Sequence, residues 1–152
     1  MKKKLRTIGL IFLVVLVGIQ FIPISRNQGN EVPANDFIET YHPPERIANL
    51  LKNACYNCHS NHTDYPWYRY IQPVGWFLER HIRKGKDQLN LSEFNTYSSR
   101  RKRSKLKSMA NQVRDGVMPL SSYTIMHREA RMSEGDKEVL IDWVNKAIKS
   151  HQ

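Results

Sequence analysis

An all-α fold, one small helical domain preceded by an apolar N-terminal helix, is what the sequence predicts. Three observations carry that expectation. Apolar residues recur at helical spacing in four separate segments. No run alternates apolar and polar residues as a half-buried strand would, and no convincing hairpin turn is present. The 152 residues leave room for a single core. There is no internal repeat, and the N-terminal run is the one low-complexity segment.

That run is "MKKKLRTIGLIFLVVLVGIQFIPI". Lys2, Lys3, Lys4 and Arg6 are followed by an almost unbroken apolar stretch of 18 residues, Thr7 to Ile24. It is just long enough to span a bilayer and longer than the core of most signal peptides. No small-x-small cleavage site follows. Residues 1–24 are therefore expected to be an uncleaved single-pass membrane anchor, with a cleaved signal peptide as the alternative. Basic residues near a membrane stay on the cytoplasmic side, and only Arg26 stands close behind the run. The body is expected on the outer face of a bacterial inner membrane, in the periplasm. Residues 25–43, "SRNQGNEVPANDFIETYHP", are polar, contain Gly and Pro and show no periodicity, and so read as a tether.

Residues 44–150 form the expected domain. In "PPERIANLLKNACYNCH", Pro44 opens a helix with Glu45 in its first turn, and Ile47, Leu50, Leu51, Ala54 and Cys58 share one face. A second helix is predicted from Pro73 to about Gln88, with Val74, Phe77, Leu78, His81 and Ile82 as its stripe. A third runs from about Ser99 to Asp115, where Leu106, Met109, Ala110 and Val113 form the apolar face and Gly116 offers a C-terminal cap. A fourth opens at Ser133, a capping hydroxyl followed by Glu134 and Asp136. Its buried face is Leu140, Trp143, Val144, Ala147 and Ile148.

The first helix ends in "CYNCHS", residues 55–60, which hold both cysteines of the chain and one of its six histidines. Three chemistries use such a cluster. Cys55 and Cys58 can attach a haem through thioether bonds, with His59 ligating the iron from the same turn. A C-x-x-C pair can cycle through a disulfide. Zinc can be held by Cys55, Cys58, His59 and His62. The adjacent histidine favours haem, because a redox dithiol has no use for it and a structural zinc site draws its ligand pairs from segments further apart. Thioether bonds also remove both thiols from disulfide formation in an oxidising compartment. One covalently attached haem c is the expected cofactor.

The other side of such an iron needs a ligand. "DGVMPLSSY" places Met118 in a loop between the third and fourth helices, where a thioether can be aimed, and Pro119 biases Met118 towards extended backbone. His81, on the apolar face of the second helix, is a competitor, more simply read as a satisfied core histidine or one bonded to a haem propionate. His62 is too close to His59 to reach around a porphyrin. His127 is a weaker alternative, and Met109 and Met132 read as core or surface residues.

The order of "CYNCH", "YPWYRYIQPVGWFLERHIRKG", "LNLSEF", "GVMPLSSYTIMHREARMS" and "LIDWVNKA" resembles the bacterial haem-binding domain family, small anchored proteins related in pattern to c-type cytochromes. The resemblance covers roughly residues 35–150. It implies a cytochrome c-like helical domain around one covalent haem, with Cys55 and Cys58 as attachment sites, His59 as proximal ligand and Met118 matching the distal methionine.

Tyr65, Trp67, Tyr68, Tyr70 and Trp76 offer flat apolar walls or donors to propionates, and Arg69 a cation for one. The possible pocket contacts are thus Trp67, Arg69, Tyr70, Trp76 and His81. The basic run from Arg100 to Lys107 reads as a solvated helix face or as a docking patch for an acidic redox partner or anionic lipid. Export of the domain excludes nucleic acid as its partner. No Ser/His/Asp or paired-carboxylate constellation suggests a hydrolase. A tethered electron carrier that is not an enzyme is expected, with a haem-based sensor or small-ligand binder as the alternative.

Overall fold

The computed structural model of the protein describes residues 1–30 and 33–149. The expected domain limit at residue 150, and residues 31 and 32 of the expected tether, lie outside them. Eight helices follow in order: α1 (Lys2–Ile19), α2 (Phe37–Tyr41), α3 (Glu45–Leu51), α4 (Asn57–His59), α5 (Val74–Gln88), α6 (Ser99–Arg114), α7 (Ser121–Met126) and α8 (Glu134–Lys149). Short 3₁₀ turns lie between several of them, and the described residues contain no strand, only an isolated bridge between Gln28 and His62.

The core forms where α6 and α8 pack together and α2 and α3 close over them. Leu106, Met109, Ala110 and Val113 of α6 meet Leu140, Val144, Ala147 and Ile148 of α8, the faces their periodicity predicts. Phe37 is the pivot, fully buried and edge-on to Phe94 at 4.8 Å and to Trp143 at 5.8 Å. Burying a side chain of this kind contributes about 1.5–3 kcal/mol. The second stripe behaves differently. Ile82 is buried, but Val74 and Phe77 are exposed.

The helix ends follow their capping residues. Ser133 and Asp136 form a reciprocal box at the start of α8. The Asp136 N–H donates to Ser133 Oγ at 3.1 Å, and the Ser133 N–H donates to Asp136 Oδ2 at 3.2 Å. Gly116, at φ 66°, ends α6 in the left-handed conformation that glycine adopts without a Cβ clash. The N–H groups of Val117 and Met118 then both turn back to the Gln112 carbonyl, at 2.9 and 3.1 Å.

Two expectations need correction. No helix among the described residues is long and apolar enough to cross a membrane. Lys2, Lys3, Lys4 and Arg6 fall inside α1 and the helix ends at Ile19, so its apolar part, Thr7 to Ile19, spans about 20 Å where a bilayer core needs about 30 Å. The stretch read as a tether is built into the body. Asn27 is buried and donates through Nδ2 to the Ser60 carbonyl and to Thr63 Oγ1, both at 2.9 Å. Asp36 caps α2 and accepts from the Tyr56 hydroxyl at 2.9 Å.

Candidate functional site

The helix that carries the cysteines is not uniformly α. Between α3 and α4 the backbone winds as a π-helical turn over Lys52–Tyr56. The wider turn takes more residues than an α turn and shifts the faces beyond it, so the simple 3.6-residue stripe drawn through Cys58 does not hold. What results is a shared outlook. Ala54, Cys55, Cys58 and His59 all line one cavity of about 280 Å³, whose walls are mostly apolar.

His59 is fixed at both ends. Its Nδ1–H donates to the Leu89 carbonyl at 3.0 Å, and its own carbonyl accepts from the Leu91 N–H at 2.6 Å. This bond sets the tautomer and leaves Nε2 with its lone pair free, the state a metal-ligating imidazole needs. Burial pulls the His59 pKa down, against hydrogen bonds to the Leu89 and Gly85 carbonyls that raise it, so the ring is neutral near pH 7.

Cys55 and Cys58 are free thiols. Burial and the neighbouring Cys58 push Cys55 up to about 12, and burial pushes Cys58 up to about 11. A redox dithiol works through a thiolate of lowered pKa, so these values speak against the disulfide-cycling alternative. Zinc fares no better. His62 is exposed and turned to Asp64 at 3.7 Å, and no group of three or more His, Cys, Asp or Glu among the described residues could hold a metal ion.

The other walls come from α5, α6 and the chain that runs from α6 into α7. On α5 they are His81, Lys84, Gly85 and Gln88; on α6, Lys105, Met109 and Gln112; and beyond α6, Met118, Pro119, Leu120 and Tyr123. Gly85 lets α5 approach the cysteine turn, since a Cβ there would stand 2.6 Å from the Cys58 carbonyl oxygen. Gly116 reverses the chain after α6, and Met118 thereby faces the same cavity as His59.

Of the five possible pocket contacts, His81 alone lines the cavity; its Nδ1–H donates to the Phe77 carbonyl at 2.8 Å, so its Nε2 is also free. Trp67 and Tyr70 are exposed, and Trp76 does not reach the cavity. Arg69 is buried elsewhere, its guanidinium 3.9 Å over the Tyr65 ring. The aromatic run therefore serves the body between α4 and α5, while Tyr65 accepts from the Asn27 N–H and donates to Glu79. His127 uses both ring nitrogens, accepting from the Tyr68 hydroxyl at 2.8 Å and donating to Glu129 at 3.0 Å, and is no ligand candidate.

Tyr123, the aromatic that does line the cavity, was missed, as were Lys84 and Lys105. Tyr123 stacks on His127 at 4.3 Å and accepts from Asn57 Nδ2 at 2.9 Å. Its place five residues after Met118 was the available signal.

The model of a family described as a haem-binding domain matches residues 14–146 of the chain. No curated protein and no solved structure matches it.

Proposed function

Because this chain belongs to the haem-binding domain family, with haem as its cofactor, we propose that it is a mono-haem c-type electron carrier. In this reading Cys55 and Cys58 hold the porphyrin through thioether bonds, His59 is the proximal iron ligand and Met118 the distal one. The observation that carries it is the convergence of those four side chains, from two separate stretches of chain, on one mostly apolar cavity.

Haem, when bound, supplies a one-electron couple. The chain's own residues supply the rest. Cys55 and Cys58 are kept as thiols, unpaired, on one turn. His59 Nε2 is offered as a neutral donor whose orientation is fixed by Leu89. A Met118 thioether favours ferrous iron and raises the potential. Leu89, Met109, Val113 and Leu120 supply apolar wall.

We further propose attachment to a membrane through α1, whose apolar side chains are exposed all round and whose first residues are basic. The body would work in the periplasm and meet an acidic redox partner through its cationic surface, in line with the net charge of +6 that remains outside Lys2, Lys3, Lys4 and Arg6, 20 Lys and Arg against 14 Asp and Glu. Electron exchange, not substrate turnover, is the role.

A second reading rests on His81. It lines the same cavity with Nε2 free, the arrangement seen at His59. Bis-histidine ligation, or an open site in a gas sensor, are its consequences. Spectra of the purified holoprotein in both oxidation states, with and without carbon monoxide, decide. The carrier should bind the gas poorly and show the weak red charge-transfer band of ferric iron bonded to a thioether. Met118→Ala should remove that band, admit carbon monoxide and lower the potential. If His81→Ala does this instead, the ligand is His81; if wild type binds the gas fast, the protein is a ligand binder. Haem stain migrating with the chain on a denaturing gel, and lost in Cys55→Ala/Cys58→Ala, tests the covalent bonds.

A further inference from the structure

Lys84 of α5 and Lys105 of α6 are the two cations that line the cavity, and no carboxylate lines it with them. Among the described residues neither ammonium has a hydrogen-bond or ion-pair partner. Three other cations of the same helices are engaged away from the cavity, and the remaining ones do not line it. Lys86 donates to Asn27 Oδ1 at 2.8 Å, Lys102 to Asn95 Oδ1 at 2.6 Å, and the Arg101 guanidinium lies 4.1 Å over the Tyr97 ring. Arg69, the cation the sequence offered for such a role, is stacked on Tyr65 away from the cavity. Two cationic side chains, Lys84 exposed and Lys105 half-buried, thus line a mostly apolar space that offers them no carboxylate.

A porphyrin with two propionates brings the missing charge. A carboxylate entering apolar surroundings must be paired or stay in water, because burying it alone costs many kcal/mol. Its vinyl groups lie along one edge of the macrocycle and its propionates along the edge away from them. With the vinyl edge against Cys55 and Cys58, the carboxylates fall to walls that the cysteine turn does not make, and α5 and α6 are such walls. We infer that Lys84 and Lys105 form the carboxylate clamp of this cavity, one jaw on each helix, taking the haem propionates by charge-assisted hydrogen bonds. The inference rests on the haem site proposed above and adds what fixes the porphyrin's orientation within it. It also gives the basic run of α6 a role beyond solvation, through the one member that lines the cavity.

The test uses the full chain in a Cys55→Ala/Cys58→Ala background, where porphyrin uptake is reversible and is followed by the Soret band. Haemin and its dimethyl ester, in which both carboxylates are capped, are titrated side by side. Haemin should bind more tightly than the ester by about tenfold or more, the worth of one or two charged hydrogen bonds. Lys84→Gln/Lys105→Gln should abolish that preference, and Lys84→Arg/Lys105→Arg should keep it. The ester probes the same contact from the ligand's side with the lysines intact, so the result does not depend on how well the glutamine variant folds. An equal affinity of the parent for both porphyrins overturns the clamp, as does an unchanged preference in the glutamine variant. If the lysine changes alter only the salt dependence of electron exchange with an acidic protein, the two residues are a docking surface and the clamp is wrong. A parent chain that takes up neither porphyrin overturns the clamp, since without thioether bonds the lysines should still hold haemin, whereas a wild-type chain that matures without haem overturns the haem site itself.

Discussion

At His59 a single side chain is held so that one atom is left over. Nδ1 is committed to Leu89 and the backbone carbonyl to Leu91, and what remains is Nε2 facing the cavity. The cysteines beside it show the same control in another form. Their raised pKa values keep both sulfurs protonated in the haem-free fold. Alkylation of the haem-free chain by iodoacetamide at pH 8 should therefore run at least about tenfold slower than in the urea-unfolded chain, since the thiolate is the nucleophile. The sign of the linked stability follows. A thiol whose folded pKa lies above its unfolded value of 9.0 holds its proton in the native state after the unfolded chain has lost it. Stability is then fully present below about pH 9 and falls as pH rises towards 11 to 12. Denaturant titrations across that window should show the decline in wild type and a flatter profile in Cys55→Ala/Cys58→Ala.

Between elements, the decisive contact is α4 against α5. Gly85→Ala would set a methyl group 2.6 Å from the Cys58 carbonyl oxygen, a backbone atom that cannot rotate away. Overpacking of this kind costs about 1–3 kcal/mol. The change should lower the Tm of the haem-free chain and weaken haem uptake, whereas Gly135→Ala, in the exposed first turn of α8, has room for its methyl group and should not lower Tm. The start of α8 carries a pH dependence of its own. The Ser133 hydroxyl and then Arg46, at 2.7 Å, hold Asp136 down to about 2. A carboxylate with a depressed folded pKa supports the fold above its ordinary value of 3.8 and ceases to do so as pH falls towards 2. Ser133→Ala should reduce that acid-side loss, read as Tm against pH between 4 and 2, and also lower Tm at neutral pH by removing the cap.

For the molecule as a whole, α1 is joined to the body at a defined place. Gln20 Oε1 accepts from the Gln72 N–H at 2.9 Å, and Gln20 Nε2 donates to the Gln72 carbonyl at 3.2 Å, directly before the α5 cap at Pro73. The exposed apolar side chains of α1 and its four basic residues suit a bilayer with anionic headgroups. Each basic residue near such a surface is worth about 1 kcal/mol. The full chain should therefore float with anionic vesicles in a density gradient. Changing Lys2, Lys3, Lys4 and Arg6 to Gln should weaken that binding and make what remains less sensitive to salt, whereas Leu10→Gln with Val14→Gln should abolish it. A wild-type chain that stays at the bottom of the gradient removes α1 as the attachment element.

The sequence by itself determined the elements whose instructions are local. The faces of α6 and α8, the Ser133 cap, the Gly116 stop and the grouping of Cys55, Cys58 and His59 all depend on spacings of a few residues, and the chain realises them where they were expected. The cavity's farther walls depend on which helices meet, and spacing cannot carry that. The aromatic run after the motif read as its wall because it is near in sequence, yet Arg69 and Tyr65 bind one another and the exposed rings of Trp67 and Tyr70 lie elsewhere. Met118, Tyr123, Lys84 and Lys105 come to Cys58 only through the approach at Gly85, the reversal at Gly116 and the packing of α6 on α8. The π-helical turn belongs with them. Such wider turns are frequent at functional sites, and no apolar spacing in the sequence marks this one.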